Sequence, residues 1–161
     1  MQNAECKMQN AIIRPMTPGD ADSKAYAHWK SCLETYSGLM DPEFLAASTL
    51  DKYHAIALRF VETTLIAELD GKIVGFGCWD PKGEIPALYV LRDAQGYGIG
   101  RRLLETMLER LADCKQVRLE VLEGNDRAIG FYEHMGFRMD GTSNMTKYSA
   151  VHPVLGMIRA V

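Results

Sequence analysis

A glycine-rich loop near the middle of this 161-residue chain carries its clearest chemical signal. The loop reads Gln95-Gly96-Tyr97-Gly98-Ile99-Gly100 and lies between a predicted strand that ends at Val90 and a predicted helix that begins at Arg101. Glycines leave the backbone uncovered, and a helix start offers unpaired N–H groups and about half a positive charge. Arg101 and Arg102, in the first helical turn, oppose the helix dipole unless a bound anion compensates them. The loop therefore predicts a pyrophosphate site, although the same residues could also form a purely structural turn.

Two other classes of nucleotide-binding loop also begin a helix with glycines, and neither matches this one. The P-loop ends in Gly-Lys-Ser/Thr, whereas Gly100 is followed by two arginines. The dinucleotide-binding fingerprint GxGxxG is absent, because Gly100 is followed by Arg101-Arg102-Leu103. A nucleoside triphosphate or a nicotinamide dinucleotide is therefore not the expected ligand.

A second motif lies C-terminal to the loop. It consists of Asn125 and the segment Ala128-Ile129-Gly130-Phe131-Tyr132-Glu133-His134-Met135-Gly136-Phe137. This motif is similar to the signature of the Gcn5-related N-acetyltransferases, an Asn followed by Ala-x-x-Phe-Tyr-x-x-x-Gly-Phe. Gln95-x-x-Gly98-x-Gly100 resembles the Gln/Arg-x-x-Gly-x-Gly/Ala motif of the same family, and the separation of the two motifs is also as in the family. The resemblance covers residues 11–160 and is strongest over residues 65–137.

The resemblance implies an enzyme that transfers the acetyl group of acetyl-CoA to a primary amine by direct attack, without a metal ion. Main-chain groups of the strand ending at Val90 would bind the pantetheine arm beyond a bulge, which Pro86 makes physically reasonable. The arm would enter a gap between this strand and the strand at residues 117–122. The implied cofactor-binding residues are Leu88, Tyr89, Val90, Gln95, Gly96, Tyr97, Gly98, Ile99, Gly100, Arg101, Asn125 and Tyr132.

Two side chains are implied to be catalytic. A primary amine with a pKa of about 10.4 is neutral in only about one molecule in 2,500 at pH 7, so a base or a desolvated pocket is needed. Glu84 lies where some family members place a catalytic glutamate, although a solvated turn residue and a water relay are the alternatives. Tyr132 lies where family members place a tyrosine that protonates the departing thiolate, and its alternative role is packing beside Phe131.

The acceptor pocket is expected around the first two helices, and the candidate substrate residues are Trp29, Tyr36, Met40 and Phe44. Glu34, Asp41 and Glu43 make this region mildly acidic, which favours a cationic, polyamine-like acceptor, although charges near helix starts are usually capping or solvated. Two alternatives stay open at this point. The chain could acetylate protein N-termini or lysines, or it could sense acyl-CoA without turning it over.

The elements that must position these residues follow from hydrophobic periodicity and turn signals. Strands are predicted at residues 11–16, 64–69, 72–79, 85–90, 117–122, 137–140 and 154–160, with Asp70-Gly71 as a hairpin turn. Pro86 indicates an edge, irregular or bulged strand at 85–90. Helices are predicted after Asp20, from Asp41 to near Arg59, over residues 101–112, and from Asn125 to Gly136. The expected fold class is α/β, with a mixed, mostly antiparallel sheet of six to seven strands flanked by about four helices.

Composition sets the remaining expectations. Lys and Arg number 18 against 21 acidic residues, so the net charge of −3 gives no reason to expect nucleic acid or an anionic membrane as a partner. Cys6, Cys32, Cys78 and Cys114 form no CxxC pair and are expected to be reduced thiols, and the four histidines have no metal-ligand spacing. We expect a flexible tail at residues 1–10, a single domain at 11–161, a cytoplasmic location and a small-molecule partner. A homodimer is compatible with this sequence.

Overall fold

The computed structural model describes residues 10–146 and 151–161. Its strands form one sheet in the order β1-β2-β3-β4-β5-β7-β6, and among their pairings only β4 with β5 is parallel. The strands are β1 (Ile12–Pro15), β2 (Thr64–Leu69), β3 (Lys72–Asp80), β4 (Glu84–Val90), β5 (Gln116–Leu122), β6 (Arg138–Met145) and β7 (Pro153–Ala160). The α-helices of the described residues are α1 (Ala21–Tyr36), α2 (Pro42–Ala47), α3 (Leu50–Arg59), α4 (Ile99–Arg110) and α5 (Asp126–His134). The predicted α/β class and the mixed, mostly antiparallel sheet are confirmed.

Local turn chemistry explains why the chain reverses where it does. Asp70 and Gly71 connect β2 to β3 with φ angles of 51° and 75°, the left-handed conformation that a two-residue hairpin turn requires. Gly136 follows α5 with a φ of 88°, as expected of a residue that ends a helix. Both predictions are confirmed.

The central strand β4 deviates from regular pairing on both sides. Against β3 its register shifts between Cys78 and Asp80, so that Ile85 and Pro86 lie opposite a single residue, which is the predicted bulge. Against β5 it pairs only at Glu84 with Arg118, and the two strands separate beyond that point. The alternative that this strand is an edge is wrong, because β4 lies fourth of seven strands. Proline cannot donate a ladder hydrogen bond, and here that deficit coincides with an opening inside the sheet.

The predicted second helix is in fact two helices. Asp41 caps α2 by accepting a hydrogen bond from the N–H of Glu43 at 3.0 Å, as expected. The helix ends at Ala47 because Ser48 turns to an extended conformation, with a ψ of 111°. Thr49 then caps α3, where its side chain accepts from the N–H of Lys52. The prediction of one continuous helix to Arg59 is therefore wrong, and a Ser-Thr pair is the signal that it overlooked.

Asp20 precedes α1 as predicted, but its carboxylate does not cap that helix. It accepts two hydrogen bonds from the Arg14 guanidinium, each 2.9 Å long, and one from the backbone N–H of Thr17. The hydrogen bonds from Arg14 hold the pKa of Asp20 well below its usual range, against the opposing effect of burial. Arg14 also contacts Glu68 at 3.0 Å, so this ion network attaches the start of α1 to β1 and β2.

Two hydrophobic layers cover the sheet. The larger one contains fully buried residues of α4, such as Leu103, Leu104 and Met107, together with Tyr132 of α5. The smaller layer packs α1 and α3 against the other face in two clusters, one around Phe76 and one around Tyr53. Along β4, Leu88 and Val90 face the α4 side, whereas Ala87 and Tyr89 face the α1 side.

Lys24 of α1 is an exception in this smaller layer, since its side chain is 0% exposed. Its ammonium nitrogen lies 4.1 Å from the centroid of the Phe76 ring and 3.4 Å from Nδ1 of His28. Burial lowers the pKa of Lys24 below its usual 10.5. The folded state therefore binds this proton less tightly than the unfolded state does. Lys24 thus lowers the free energy of unfolding most at low pH, and this loss disappears as the pH rises towards 10.5.

We expect Lys24→Met to raise the free energy of unfolding by about 1 kcal/mol or more at pH 7, since an apolar side chain replaces a buried amine that has no carboxylate partner among the described residues. In a domain of this size the melting temperature should rise by roughly 2–4 °C per kcal/mol. Thermal unfolding measured from pH 6 to about pH 10 should show the gain shrinking as the pH increases. Lys72→Met, at an exposed position at the start of β3, is the matched control and should show no such trend. A lower melting temperature for Lys24→Met would mean that the buried amine stabilises the fold.

Three further expectations meet the structure as follows. Cys32, Cys78 and Cys114 are free thiols, as predicted, and Cys6 lies outside the described residues. The predicted flexible tail falls on residues 1–10, of which 1–9 also lie outside them. No helix in the described part of the chain has the length and apolar character needed to cross a bilayer.

Candidate functional site

A cleft of about 610 Å³ opens where β4 and β5 separate. Its walls come from the two strands, the loop before α4, the buried side of α5 and the C-terminal end of α1. Most of the residues predicted to bind the cofactor meet there, although they come from distant parts of the chain. The cleft-lining members of that set are Leu88, Tyr89, Val90, Gln95, Gly96, Gly98, Ile99, Gly100, Arg101, Asn125 and Tyr132.

The glycine loop forms the end of the cleft beside α4. Gly96 and Gly98 have φ angles of 82° and 76°, and Gly98 is the N-cap residue of the helix. The first bond of the helix runs from the N–H of Arg102 to the carbonyl of Gly98, so the N–H groups of Ile99, Gly100 and Arg101 precede the intrahelical ladder. The side-chain amide of Gln95 donates to the carbonyl of Val90 at 2.8 Å, which fixes the loop to the end of β4.

The space around the loop fits a diphosphate and an extended chain. A Cβ atom at Gly96 would meet nothing within 4 Å, so that side of the loop is open. A Cβ atom at Gly100 would lie 3.7 Å from Cγ2 of Val90 and 3.7 Å from Cζ of Phe131, both of which line the cleft. The bare backbone at Gly100 thus keeps the passage between β4 and α5 free.

The two arginines after the loop have different surroundings. Arg101 is exposed, lines the cleft, and forms an ion pair with Glu105 one helical turn away at 2.7 Å. Arg102 donates to the carbonyl of Ala11 at 2.7 Å and does not line the cleft. The expectation that a bound anion compensates the charges of both arginines is not supported for Arg102, whose guanidinium attaches α4 to the residue before β1.

Tyr132 lies on the wall of the cleft and is 8% exposed. Its ring packs edge-on against Phe131 and Phe137, with centroid distances of 5.3 Å and 5.8 Å. Burial raises the pKa of Tyr132 above its usual value of 10, and the nearby Tyr36 adds to the effect. Among the described residues no hydrogen bond to its hydroxyl is present. The phenol is thus a neutral hydrogen-bond donor in a largely dry environment.

Asn125 is a helix cap that also lies at the cleft. Its side-chain oxygen accepts a hydrogen bond from the N–H of Ala128 at 3.3 Å, which caps α5. The same residue lines the cleft. Capping and a place in the cleft are compatible at this position.

Glu84, predicted as the base, is exposed at the start of β4 and does not line the cleft. The acidic residues that do line it are Glu34 and Glu120. Glu34 accepts a hydrogen bond from the backbone N–H of Arg92 at 2.8 Å, and Glu120 accepts from Arg118 at 2.9 Å. Sequence reasoning missed Glu120, because only the separation of β4 from β5 brings it to the cleft.

The four predicted substrate residues are not brought together. Tyr36 lines the main cleft, whereas Met40 lines a smaller cavity of about 310 Å³ beside His152. Trp29 packs near Tyr26, with ring centroids 6.0 Å apart, and Phe44 lies under the ammonium group of Lys52 at 5.2 Å. Tyr97, predicted among the cofactor-binding residues, does not line the cleft either.

A pair of hydroxyl groups was not predicted from the sequence. The Tyr36 and Tyr89 oxygens lie 2.8 Å apart and are hydrogen-bonded, and both residues line the cleft. Burial raises the pKa of Tyr36 to about 12 and raises the pKa of Tyr89 well above its usual value, so both phenols are neutral at physiological pH. Tyr89 had been expected to contribute main-chain groups only.

Comparison with known proteins adds independent findings. Residues 25–137 match the family model described as "Acetyltransferase (GNAT) family". A probable N-acetyltransferase of Mycobacterium tuberculosis is 30% identical over 147 residues, which cover 84% of each chain. Shorter matches include a peptidyl-lysine N-acetyltransferase of Salmonella typhimurium, 35% identical over 45% of this chain and 48% of that protein, and a spermine/spermidine N(1)-acetyltransferase of Bacillus subtilis, 36% identical over 29% of this chain and 33% of that protein. Among solved structures, the PaiA N-acetyltransferase of Thermoplasma acidophilum in complex with coenzyme A has a TM-score of 0.78 at 21% identity, over 94% of this chain and 99% of that one.

Proposed function

This chain belongs to the acetyltransferase (GNAT) family and is an acetyl-CoA-dependent N-acetyltransferase, and from that premise we propose that it acetylates a primary amine of a small molecule in the cleft between β4 and β5. The observation that carries the proposal is the single cleft that joins the glycine loop, the separated strands and the buried Tyr132. The single-domain organisation over residues 11–161 is part of the same proposal.

The main chain of this protein would hold the cofactor. The N–H groups of Ile99, Gly100 and Arg101 precede the hydrogen-bonded ladder of α4, beside the open side of the loop at Gly96, and this arrangement suits the charge of a diphosphate. Leu88, Tyr89 and Val90 belong to the part of β4 beyond its pairing with β5 at Glu84. Main-chain groups of this stretch that face the gap would be available to an extended arm, except the Val90 carbonyl, which accepts from Gln95. Bound acetyl-CoA supplies an activated acyl group and a thiol leaving group.

Tyr132 would act as the proton donor in this proposal. A phenol whose pKa burial has raised keeps its proton throughout the physiological range, so it can donate a hydrogen bond to a developing thiolate. Full proton transfer is less favourable, because a thiol has a pKa of about 8.5 and holds its proton less tightly than this phenol does. Stabilisation of charge is therefore its expected contribution.

The placement of Glu84 favours the alternative of a water relay for removing the proton of the amine. Its exposed side chain is outside the cleft, while Glu120 offers a carboxylate inside it. Glu120 is held by its ion pair with Arg118 at 2.9 Å, and in this position it would orient a water molecule in the cleft. Retention of normal kcat by Glu84→Gln would support this choice.

For the acceptor we favour a small amine over a peptide. Two named relatives act on spermine and spermidine or on peptidyl-lysine, so both classes are chemically accessible to close homologues. The carboxylates of Glu34 and Glu120 at the cleft would attract a cationic amine. Tyr36 and Tyr89 add two hydroxyl groups to the cleft lining, which suits a small polar molecule.

The test is amine-dependent release of free thiol from acetyl-CoA. The panel contains spermidine, putrescine, 2-phenylethylamine and a short N-terminally blocked peptide with one lysine. The control for each is its fully N-methylated form, in which every amino nitrogen is tertiary. Since a tertiary amine cannot form a neutral amide, its thiol release should equal the background. We expect release with at least one small amine and little with the peptide.

Two outcomes would contradict the proposal in different ways. Thiol release with the peptide alone would assign the chain to protein acetylation. Binding of coenzyme A without any amine-dependent release would argue against turnover of these acceptors.

A further inference from the structure

The side chain of Tyr89 points away from the strand face that supports the glycine loop. Leu88 and Val90 pack into the layer that contains α4, whereas Tyr89 packs against α1, Cys32 and Tyr53. Its ring lies 5.6 Å from that of Phe76 and 5.4 Å from that of His28. One residue of β4 thus has its backbone on the cofactor side and its hydroxyl in the layer formed by α1.

We propose that the paired hydroxyls of Tyr36 and Tyr89 form the subsite for the reacting nitrogen of the acceptor, with the Tyr36 oxygen accepting a hydrogen bond from an N–H of the amine. This inference rests on the proposed function. It adds a residue pair that recognises the acceptor by hydrogen bonding rather than by charge.

The geometry of the pair leaves the Tyr36 oxygen able to accept a hydrogen bond from the amine. The two oxygens are 2.8 Å apart, so one proton of the pair is used between them. A hydroxyl has one proton and two lone pairs, and Tyr36 therefore keeps at least one lone pair whichever residue donates. Tyr36 and Tyr132 both line the cleft. The lone pair is thus in the same cleft as the group proposed as the proton donor.

Residues beneath the pair hold it in place. Lys24, His28, Cys32 and Tyr36 follow one another at four-residue spacing, so they share one face of α1. Tyr89 is hydrogen-bonded to Tyr36, and its ring packs in the buried cluster that contains Cys32 and Tyr53, which holds the ring in place.

The charges around this face of α1 favour an uncharged amine at the tyrosine pair. Among the described residues, the ionic side chains that act on Cys32 and His28 are Lys24 and Lys52, both of which are cationic. The carboxylates of Glu34 and Glu120, which line the cleft, accept hydrogen bonds from the Arg92 N–H and from Arg118, whereas the two tyrosine hydroxyls are bonded to each other. An ammonium ion would find no counter-charge at the pair, whereas a neutral amine can donate an N–H and keep its own lone pair free for attack.

The experiment measures steady-state kinetics of Tyr36→Phe with every amine of the panel that the wild-type enzyme accepts. We expect KM for the amine to rise about 3- to 10-fold, the size expected for one neutral hydrogen bond, with KM for acetyl-CoA and Kd for coenzyme A within twofold of wild type. Tyr89→Phe should change the same parameter in the same direction. The double variant should resemble Tyr36→Phe, because the two hydroxyls act as a unit.

Tyr26→Phe is the matched control, since Tyr26 lies on the same helix, is 47% exposed and does not line the cleft. An unchanged KM for the amine in Tyr36→Phe, or a change confined to acetyl-CoA, would overturn the inference. Should Tyr36→Phe fail to fold, Tyr89→Phe alone decides by the same criterion. A wild-type enzyme that accepts no amine would instead refute the proposed function, so the two failures are distinguishable.

Discussion

Gly100→Val is expected to lower the affinity for coenzyme A at least 30-fold, which corresponds to about 2 kcal/mol. A Cβ atom at this position would already be 3.7 Å from Val90 and from Phe131, and the two γ-methyl groups of valine extend further into the passage between them. Inserting extra methyl groups into a packed space costs roughly 1–3 kcal/mol, and here the cost falls on the complex. Calorimetric titration with coenzyme A measures the effect directly.

The control is Gly130→Val on α5. A Cβ atom at Gly130 meets nothing within 4 Å, so the same substitution should leave coenzyme A binding unchanged. Gly100 does not have a positive φ angle, so valine there does not require a left-handed backbone. Normal affinity in a folded Gly100→Val protein would show that coenzyme A binds elsewhere.

Tyr132→Phe is expected to lower kcat about 100-fold, in the range found when one donor to a developing negative charge is removed. Affinity for coenzyme A should stay within about threefold, since the phenyl ring keeps its packing against Phe131 and Phe137. The fold should also be retained, because among the described residues the hydroxyl makes no hydrogen bond that the substitution could break. Steady-state kinetics together with calorimetry separate the two effects.

The pH dependence of turnover provides a second check on Tyr132. Because burial raises its pKa, the phenol stays protonated at pH values where an exposed tyrosine would begin to ionise. Its deprotonation should therefore cause no loss of kcat up to about pH 10. Tyr26→Phe should match wild type in both experiments. A kcat for Tyr132→Phe close to that of wild type would assign this residue to packing alone.

Features governed by neighbouring residues were predictable. The Asp70-Gly71 hairpin, the cap at Asn125, the positive φ of Gly136 and the irregularity at Pro86 all follow from conformational preferences that act within a few positions. The break between α2 and α3 belongs to the same class, and Ser48-Thr49 was a readable signal for it. The family motifs predicted the cofactor and the reaction type, and the comparisons support both predictions.

Features that depend on residues far apart in the chain were not predictable. Arg102 donates to Ala11 across 91 positions, and Tyr36 is hydrogen-bonded to Tyr89 across 53. From residue type and local spacing alone, Arg102 could equally be a solvated side chain, and Tyr36 and Tyr89 could equally be aromatic residues that only pack. Glu84 was predicted from its distance along the chain to Gln95, yet the separation of β4 from β5 decides which carboxylates reach the cleft.

The amino-acid sequence alone therefore specified a backbone that can hold a diphosphate, because bare glycines at a helix start act through local geometry. Only the tertiary structure decided which side chains line the cleft, since that depends on how α1 packs across the opened sheet. Hydrogen bonds such as that between Tyr36 and Tyr89 require two elements to approach within about 3 Å, a condition that no local pattern encodes.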